Sequence, residues 1–135
     1  MDFFSSLFEG AMKVASSAMS EGGIYDPGRA REYSYNEIDD IPREMGTYRF
    51  FEKTNAGNKL WYIGVTQNLH RRVREHKSKG EKFKPGEYVA IKIANTGTTW
   101  DELINHERKK ISQHNPGRNG NSGGGGRRPE DLDTD

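Results

Sequence analysis

Residues 46–76 read GTYRFFEKTNAGNKLWYIGVTQNLHRRVREH. Gly46 to Glu52 is rich in aromatic and β-branched residues and reads as a strand. Thr54-Asn55-Ala56-Gly57-Asn58 is a turn, and Lys59 to Val65 is a second strand, so the two form a hairpin with a longish loop. Thr66, Gln67 and Asn68 then offer N-cap oxygens to a helix running to about His76 or Lys77, with Leu69 and Val73 as apolar anchors.

Working outward, Lys77 to Gly86 is a basic loop, and Glu87 to Ala94 alternates as a third strand with Val89, Ile91 and Ile93 on one face. Thr98 stands three residues before Asp101 and Thr99 three before Glu102, so either threonine suits a capping box. The helix they start runs to about His114 and stops before Pro116-Gly117. Upstream, Phe4, Phe8, Met12, Ala15 and Met19 recur at helical steps within residues 3–19, a weak amphipathic pattern. Residues 20–30, SEGGIYDPGRA, are turn-rich. After Asn119 the chain becomes GNSGGGGRRPEDLDTD, the composition of a flexible tail. The expected organisation is a leader over 1–40, a folded domain over 41–121 and a tail over 122–135. The order strand, strand, helix, strand, helix predicts an α+β fold: a small, mainly antiparallel three-stranded sheet flanked by helices.

The length of 135 residues suggests one domain, and 31% apolar against 30% charged residues suggests a core shorter than the chain. With no cysteine, disulfides and cysteine zinc sites are excluded, which fits a reducing compartment. No apolar run approaches the ~18 residues of a membrane span. Asp2 after Met1, and no cleavage site after the short apolar patches, argue against a secretory signal. The net charge of +1 hides an asymmetry: residues 1–45 balance at −5, residues 46–119 at +8 and residues 120–135 at −2. A basic centre between acidic flanks favours a polyanionic partner such as nucleic acid, although a solvated lysine-rich surface has the same composition.

Arg72 and His76 are four apart and share a helix face, close behind the strand that holds Tyr62, so the three side chains are expected to converge. A core tyrosine beside a solvated helix face would look the same. In the second helix Leu103, Glu107 and Ile111 lie at steps of four, which puts a carboxylate in the apolar stripe. A buried carboxylate is costly without a partner. Arg108, Lys110 or Arg72 would suit, and so would Mg²⁺, which one glutamate can hold when waters and phosphate complete its shell. The four histidines lack zinc spacing, and no glycine-rich phosphate loop follows a strand.

Gly46-Thr47-Tyr48, the run from Trp61 to His76, Glu107, and Asn115-Pro116-Gly117-Arg118-Asn119 together resemble the GIY-YIG endonuclease family over roughly residues 42–121. Threonine at 47 replaces the usual isoleucine. The letters GIY at 23–25 lie 37 residues before Tyr62, too far for one hairpin, so the resemblance takes Tyr48 as the first motif tyrosine and Tyr25→Phe is expected to be silent. It makes Tyr48 and Tyr62 the tyrosines that handle the attacking water, Arg72 the arginine that meets the scissile phosphate, and His76 the histidine one turn on. It makes Glu107 the ligand of Mg²⁺ (or Mn²⁺), and Asn119 the closing asparagine, with Asn115 and Asn121 as weaker candidates. Arg71, Arg74, Lys77, Lys79 and Lys82 are placed to contact the nucleic-acid backbone. Tyrosine has a pKa of about 10, so cations beside it would favour the phenolate needed for a general base.

The expected activity is therefore Mg²⁺-dependent hydrolysis of DNA with low sequence specificity. A nearly bare catalytic unit also suits an antibacterial toxin domain, secreted or delivered into the cytoplasm of a target cell and countered by an immunity or inhibitor protein. A monomer is expected. RNA as substrate, or a nucleic-acid-binding module without turnover, are the alternatives.

Overall fold

The hairpin is β2 (Gly46–Thr54) and β3 (Gly57–Thr66), joined through Asn55 and Ala56 alone, a tighter turn than the sequence suggests. Gly57 sits at φ 120°, a region glycine favours. A computed structural model describes residues 23–27 and 30–119, so the helix pattern at 3–19 and the glycine-rich tail lie outside the described residues. Tyr48 pairs with Gly64 and Phe50 with Tyr62; the register then slips between Phe50 and Phe51, where Trp61 is the extra residue of a bulge. β4 (Tyr88–Ile93) pairs antiparallel with the other edge of β2.

The sheet has four strands rather than the three expected, in the order β1-β4-β2-β3, antiparallel throughout. The addition is β1 (Arg31–Ser34), which pairs with β4 from Arg31 opposite Ile91 to Ser34 opposite Tyr88. Its sequence, REYS, carries one aromatic residue and no buried side chain, so the alternation that marks a half-buried strand is missing. Further along the same edge of β4, Tyr25 forms an isolated antiparallel bridge with Ala94.

Both helices start where the capping chemistry says. In α1 (Leu69–Lys79) the Asn68 side chain accepts from the Arg71 amide, and Gly80 closes the helix at φ 71°. In α2 (Trp100–His114) Thr99 and Glu102 cap each other reciprocally, while the Thr98 hydroxyl donates to the Ile24 carbonyl instead. Asn115 then takes a left-handed conformation ahead of Pro116. None of these helices is long and apolar enough to cross a membrane.

The helices cover opposite faces of the sheet. Leu69 and Val73 of α1 pack with Tyr48, Phe50, Tyr62, Val89 and Ile91. Leu103 and Ile111 of α2 pack with Ile63, Val65, Ile24 and Tyr25. Successive strand residues point to opposite faces, so Tyr48 and Arg49 belong to different layers. Each fully buried large apolar side chain contributes about 1.5–3 kcal/mol.

Candidate functional site

The α1 face gathers Tyr48, Tyr62 and His76. The Tyr48 hydroxyl is hydrogen-bonded to His76 Nε2 at 2.9 Å. The Tyr62 ring lies 6.4 Å from that of Tyr48 and 5.4 Å from the His76 imidazole, centroid to centroid. Phe50 and Phe83, stacked at 4.4 Å, complete the aromatic wall. All three motif side chains are buried, Tyr48 completely and Tyr62 and His76 nearly so. Gly64 makes room for this: a Cβ there would stand 2.3 Å from the Tyr48 hydroxyl oxygen. The glycine two residues after Tyr62 is thus a packing requirement of the tyrosine on the next strand.

On its outer side α1 is basic. A shallow cleft of about 740 Å³ is lined by Arg43, His70, Arg71, Arg72, Arg74, Glu75, Ser78 and Lys79. Arg72 and Arg71 both bind Glu75, each at 3.0 Å. The hydrogen bond from Arg72, with Arg71 adding to it, holds the Glu75 carboxyl below its usual range. Glu75 thus accepts charge-assisted hydrogen bonds from both guanidiniums. Arg74 reaches Asp39. Lys77 donates to the Tyr35 carbonyl at 2.9 Å and Lys82 to the Arg118 carbonyl at 3.1 Å, whereas Lys79 is exposed.

Glu107 lies in the other layer. Its carboxylate is completely buried; Oε1 accepts from Arg49 at 3.1 Å and Oε2 accepts from the Tyr25 hydroxyl. Burial alone would raise this carboxyl, but Arg49, His106 and the Tyr25 hydroxyl outweigh it and hold the group below its usual range. The Tyr25 hydroxyl moves the other way, pushed well above its usual value by burial and by the Glu107 charge. The cation in the apolar stripe is thus Arg49 of β2, rather than Arg72, Arg108 or Lys110. Tyr48 and Arg49 are neighbours on one strand, so the phenol at His76 and the carboxylate at Arg49 lie on opposite faces of the sheet. The structure brings Tyr48, Tyr62 and His76 together, with Arg72 one turn away on the same helix, and keeps Glu107 apart from them.

Asn119 works at the sheet edge. Its Oδ1 accepts from the Ile63 amide and its Nδ2 donates to the Ile63 carbonyl, each at 2.8 Å, as a paired strand would. The turn that delivers it is pinned by Arg118, which holds Glu87 through two bonds of 2.7 Å and lies 4.5 Å over the Trp61 ring. Asn115 serves instead as the end of α2, and Asn121 lies outside the described residues.

The family model for the GIY-YIG catalytic domain matches residues 44–121, more than half of the chain and a span that holds all of Tyr48, Tyr62, Arg72, His76, Glu107 and Asn119. This chain belongs to the GIY-YIG family. No curated protein matches it. Membership implies a nuclease domain that acts on nucleic acid, in a family that generally uses a divalent metal. As Glu107 stands, its donor set does not fit such an ion: a guanidinium holds one oxygen, a hydroxyl holds the other, and no solvent reaches either. Among the described residues no group of three or more histidine, aspartate or glutamate side chains is gathered to hold a metal. The sequence reading missed Tyr25 and Arg49. Arg49 was legible in principle, because the residue between Tyr48 and Phe50 must face the opposite layer. Tyr25 carried no signal, since a turn-rich stretch says nothing about where its aromatic side chain is buried.

Proposed function

We propose that this domain is an endonuclease that hydrolyses phosphodiester bonds of DNA with low sequence specificity, with Mg²⁺ as the expected ion. The observation that carries the reading is the Tyr48–His76 hydrogen bond beside Tyr62, on the helix whose outer face presents Arg72 and its basic neighbours. In this reading water attacks phosphorus and one ester P–O bond breaks, the departing alkoxide taking up a proton from solvent; a proton of the attacking water passes to Tyr48 as the phenol gives its own to His76, which is left as imidazolium. The histidine removes the need for a standing phenolate, which the sequence reading had assigned to nearby cations. Arg72 leaves Glu75 for the phosphate and offsets the charge that develops there. Asn119 holds β3 in register at Ile63, next to Tyr62, and acts as a positioning residue. The small basic unit also suits a toxin delivered into a target cell and countered by an immunity protein.

One observation favours a second reading: Glu107 is engaged as the partner of Arg49, as it would be in a module that binds nucleic acid without turnover. Incubating supercoiled plasmid and total RNA with the protein, in Mg²⁺ or EDTA, separates the two. Nicked plasmid in Mg²⁺ alone is expected, and Tyr48→Phe is expected to slow it by about 10²–10⁴. Binding with no cleavage supports the second reading, and cleavage of RNA alone moves the substrate class.

A further inference from the structure

Tyr62 is held on both sides along its own strand. The Arg118 amide donates to the Trp61 carbonyl at 2.8 Å, and the Asn119 side chain pairs with both backbone groups of Ile63. Trp61 is the extra residue of the bulge, where the ladder to β2 is locally disrupted. The turn after α2 lies close on this residue: a Cβ on Gly117 would stand 3.0 Å from the indole. The Arg118 guanidinium covers the same indole and reaches the loop after α1. Its Nη1 donates to the Lys82 carbonyl at 2.8 Å and to Glu87 Oε1 at 2.7 Å, while Nη2 donates to Glu87 Oε2 at 2.7 Å. Lys82 returns the contact through Nζ to the Arg118 carbonyl. The Lys84 amide fixes the Glu87 carboxylate from within the loop, at 2.9 Å. That loop also carries Phe83, which stacks on Phe50, and Phe50 stacks in turn on the Tyr62 ring at 5.8 Å. The Lys82 ammonium lies 5.5 Å from the centre of the Tyr62 ring.

We propose that Arg118, through its fork on Glu87, is a positioning residue for Tyr62 in strand cleavage. One guanidinium joins the two segments that bracket this tyrosine: the turn that grips its strand neighbours and the loop that backs its ring. The pair is largely buried, with side-chain exposures of 16% for Arg118 and 7% for Glu87, so the guanidinium is committed to the protein rather than offered to a phosphate. A lysine would keep the charge but lose the two-pronged contact and the planar stack on Trp61. The proposal rests on the nuclease reading, in which Tyr62 handles the attacking water. Loosening the clasp should misplace the phenol and slow the chemical step, while DNA is bound as before. An ion pair that only stabilises the fold would not divide the kinetics in this way.

The test is plasmid nicking by the full chain in Mg²⁺, with kcat and KM measured separately, beside the ring resonances of ¹³C-labelled tyrosine. Arg118→Lys is expected to lower kcat about tenfold, with KM and its salt dependence as in the parent. Glu87→Gln keeps the shape of the acceptor and removes its charge, and should lower kcat about threefold. In both variants the Tyr62 ring resonances should shift while those of Tyr33 stay in place. A parental kcat in folded Arg118→Lys overturns the proposal; if that variant does not fold, a parental kcat in Glu87→Gln does so. A raised KM with a changed salt slope and an unchanged kcat overturns it too, because Arg118 would then be meeting phosphate directly. Unmoved Tyr62 resonances beside a lowered kcat show that the clasp acts elsewhere than on Tyr62, and likewise overturn it. Each of these results leaves the nuclease reading standing. A parent that cuts neither plasmid nor RNA removes that reading, and the positioning role with it.

Discussion

The two faces of the sheet bury polar groups in different ways. Under α1 a phenol is hydrogen-bonded to an imidazole within an aromatic layer, with a second phenol edge-on to the same imidazole. Under α2 the polar groups are a full ion pair, Arg49 with Glu107, closed by a tyrosine from a distant part of the chain. The ionic face cannot lose either member without stranding the other. The contrast teaches that the family's residues are divided here between an aromatic layer holding a phenol–imidazole hydrogen bond and a layer closed around an ion pair.

The sharpest way to break this comparison is to remove the charge. Glu107→Ala removes the carboxylate that faces the buried Arg49, and is expected to cost about 3–5 kcal/mol of stability, read by chemical denaturation. Replacing both, as Arg49→Met with Glu107→Leu, should recover most of that loss, because a buried pair is often replaceable by apolar groups. If the double variant is stable and still nicks DNA, Glu107 is only structural; if it is stable and inactive, the carboxylate is needed for the reaction. The pair also sets an acid limit. The folded Glu107 carboxyl is held below its ordinary value, chiefly because Arg49 and His106 offset the cost of burial. Its contribution is therefore present above the unfolded carboxylate pKa of about 4.3 and is lost as pH falls through the lower folded value. The double variant should show a flatter decline in stability below that pH.

On the other face the loss should be of rate, not fold. His76→Phe keeps an aromatic ring in the wall and removes the hydrogen-bond partner of the Tyr48 hydroxyl. Nicking is expected to fall by about 10²–10⁴ with a small change in melting temperature. A parental rate would show that the relay does not operate.

Gly64→Ala sharpens the link between the two hairpin strands. The new methyl meets the Tyr48 phenol, so a destabilisation of about 1–3 kcal/mol is expected, together with a loss of nicking. Pairing it with Tyr48→Phe tests the assignment, since the methyl also crowds the ring edge and only part of the stability should return.

Much of this was legible in the sequence, and the reason is local chemistry. Asn68, Thr99 with Glu102, and Pro116 mark helix ends through bonds made within a few residues. The shared face of Tyr48 and Tyr62 on one hairpin followed from hairpin length and the two-residue period of strands. The fourth strand was not legible, because Arg31–Ser34 lies at an edge and carries no buried face. Nor was the separation of Glu107 from the tyrosines. The helical stripe showed that Glu107 is buried, but the side of the sheet that α2 covers is fixed by the chain's path from Ile93 to Trp100, which no periodicity encodes. The contact between Tyr25 and Glu107 was not legible for the same reason: a bond across 82 residues leaves no local trace.

The smallest expected effect lies outside both layers, on the lysines after α1. Lys77 and Lys82 are tied to backbone carbonyls, so changing either disturbs the fold as well as the surface. Lys79 is exposed on the rim of the basic cleft. If it meets only phosphate, Lys79→Ala should weaken DNA binding equally for all sequences and reduce the slope of log affinity against log salt by about 1. Fluorescence anisotropy with two unrelated duplexes across a salt series reads both quantities. An unchanged slope would place the nucleic-acid backbone on another part of the basic surface and would detach the cleft from the Tyr48–His76 layer beneath it.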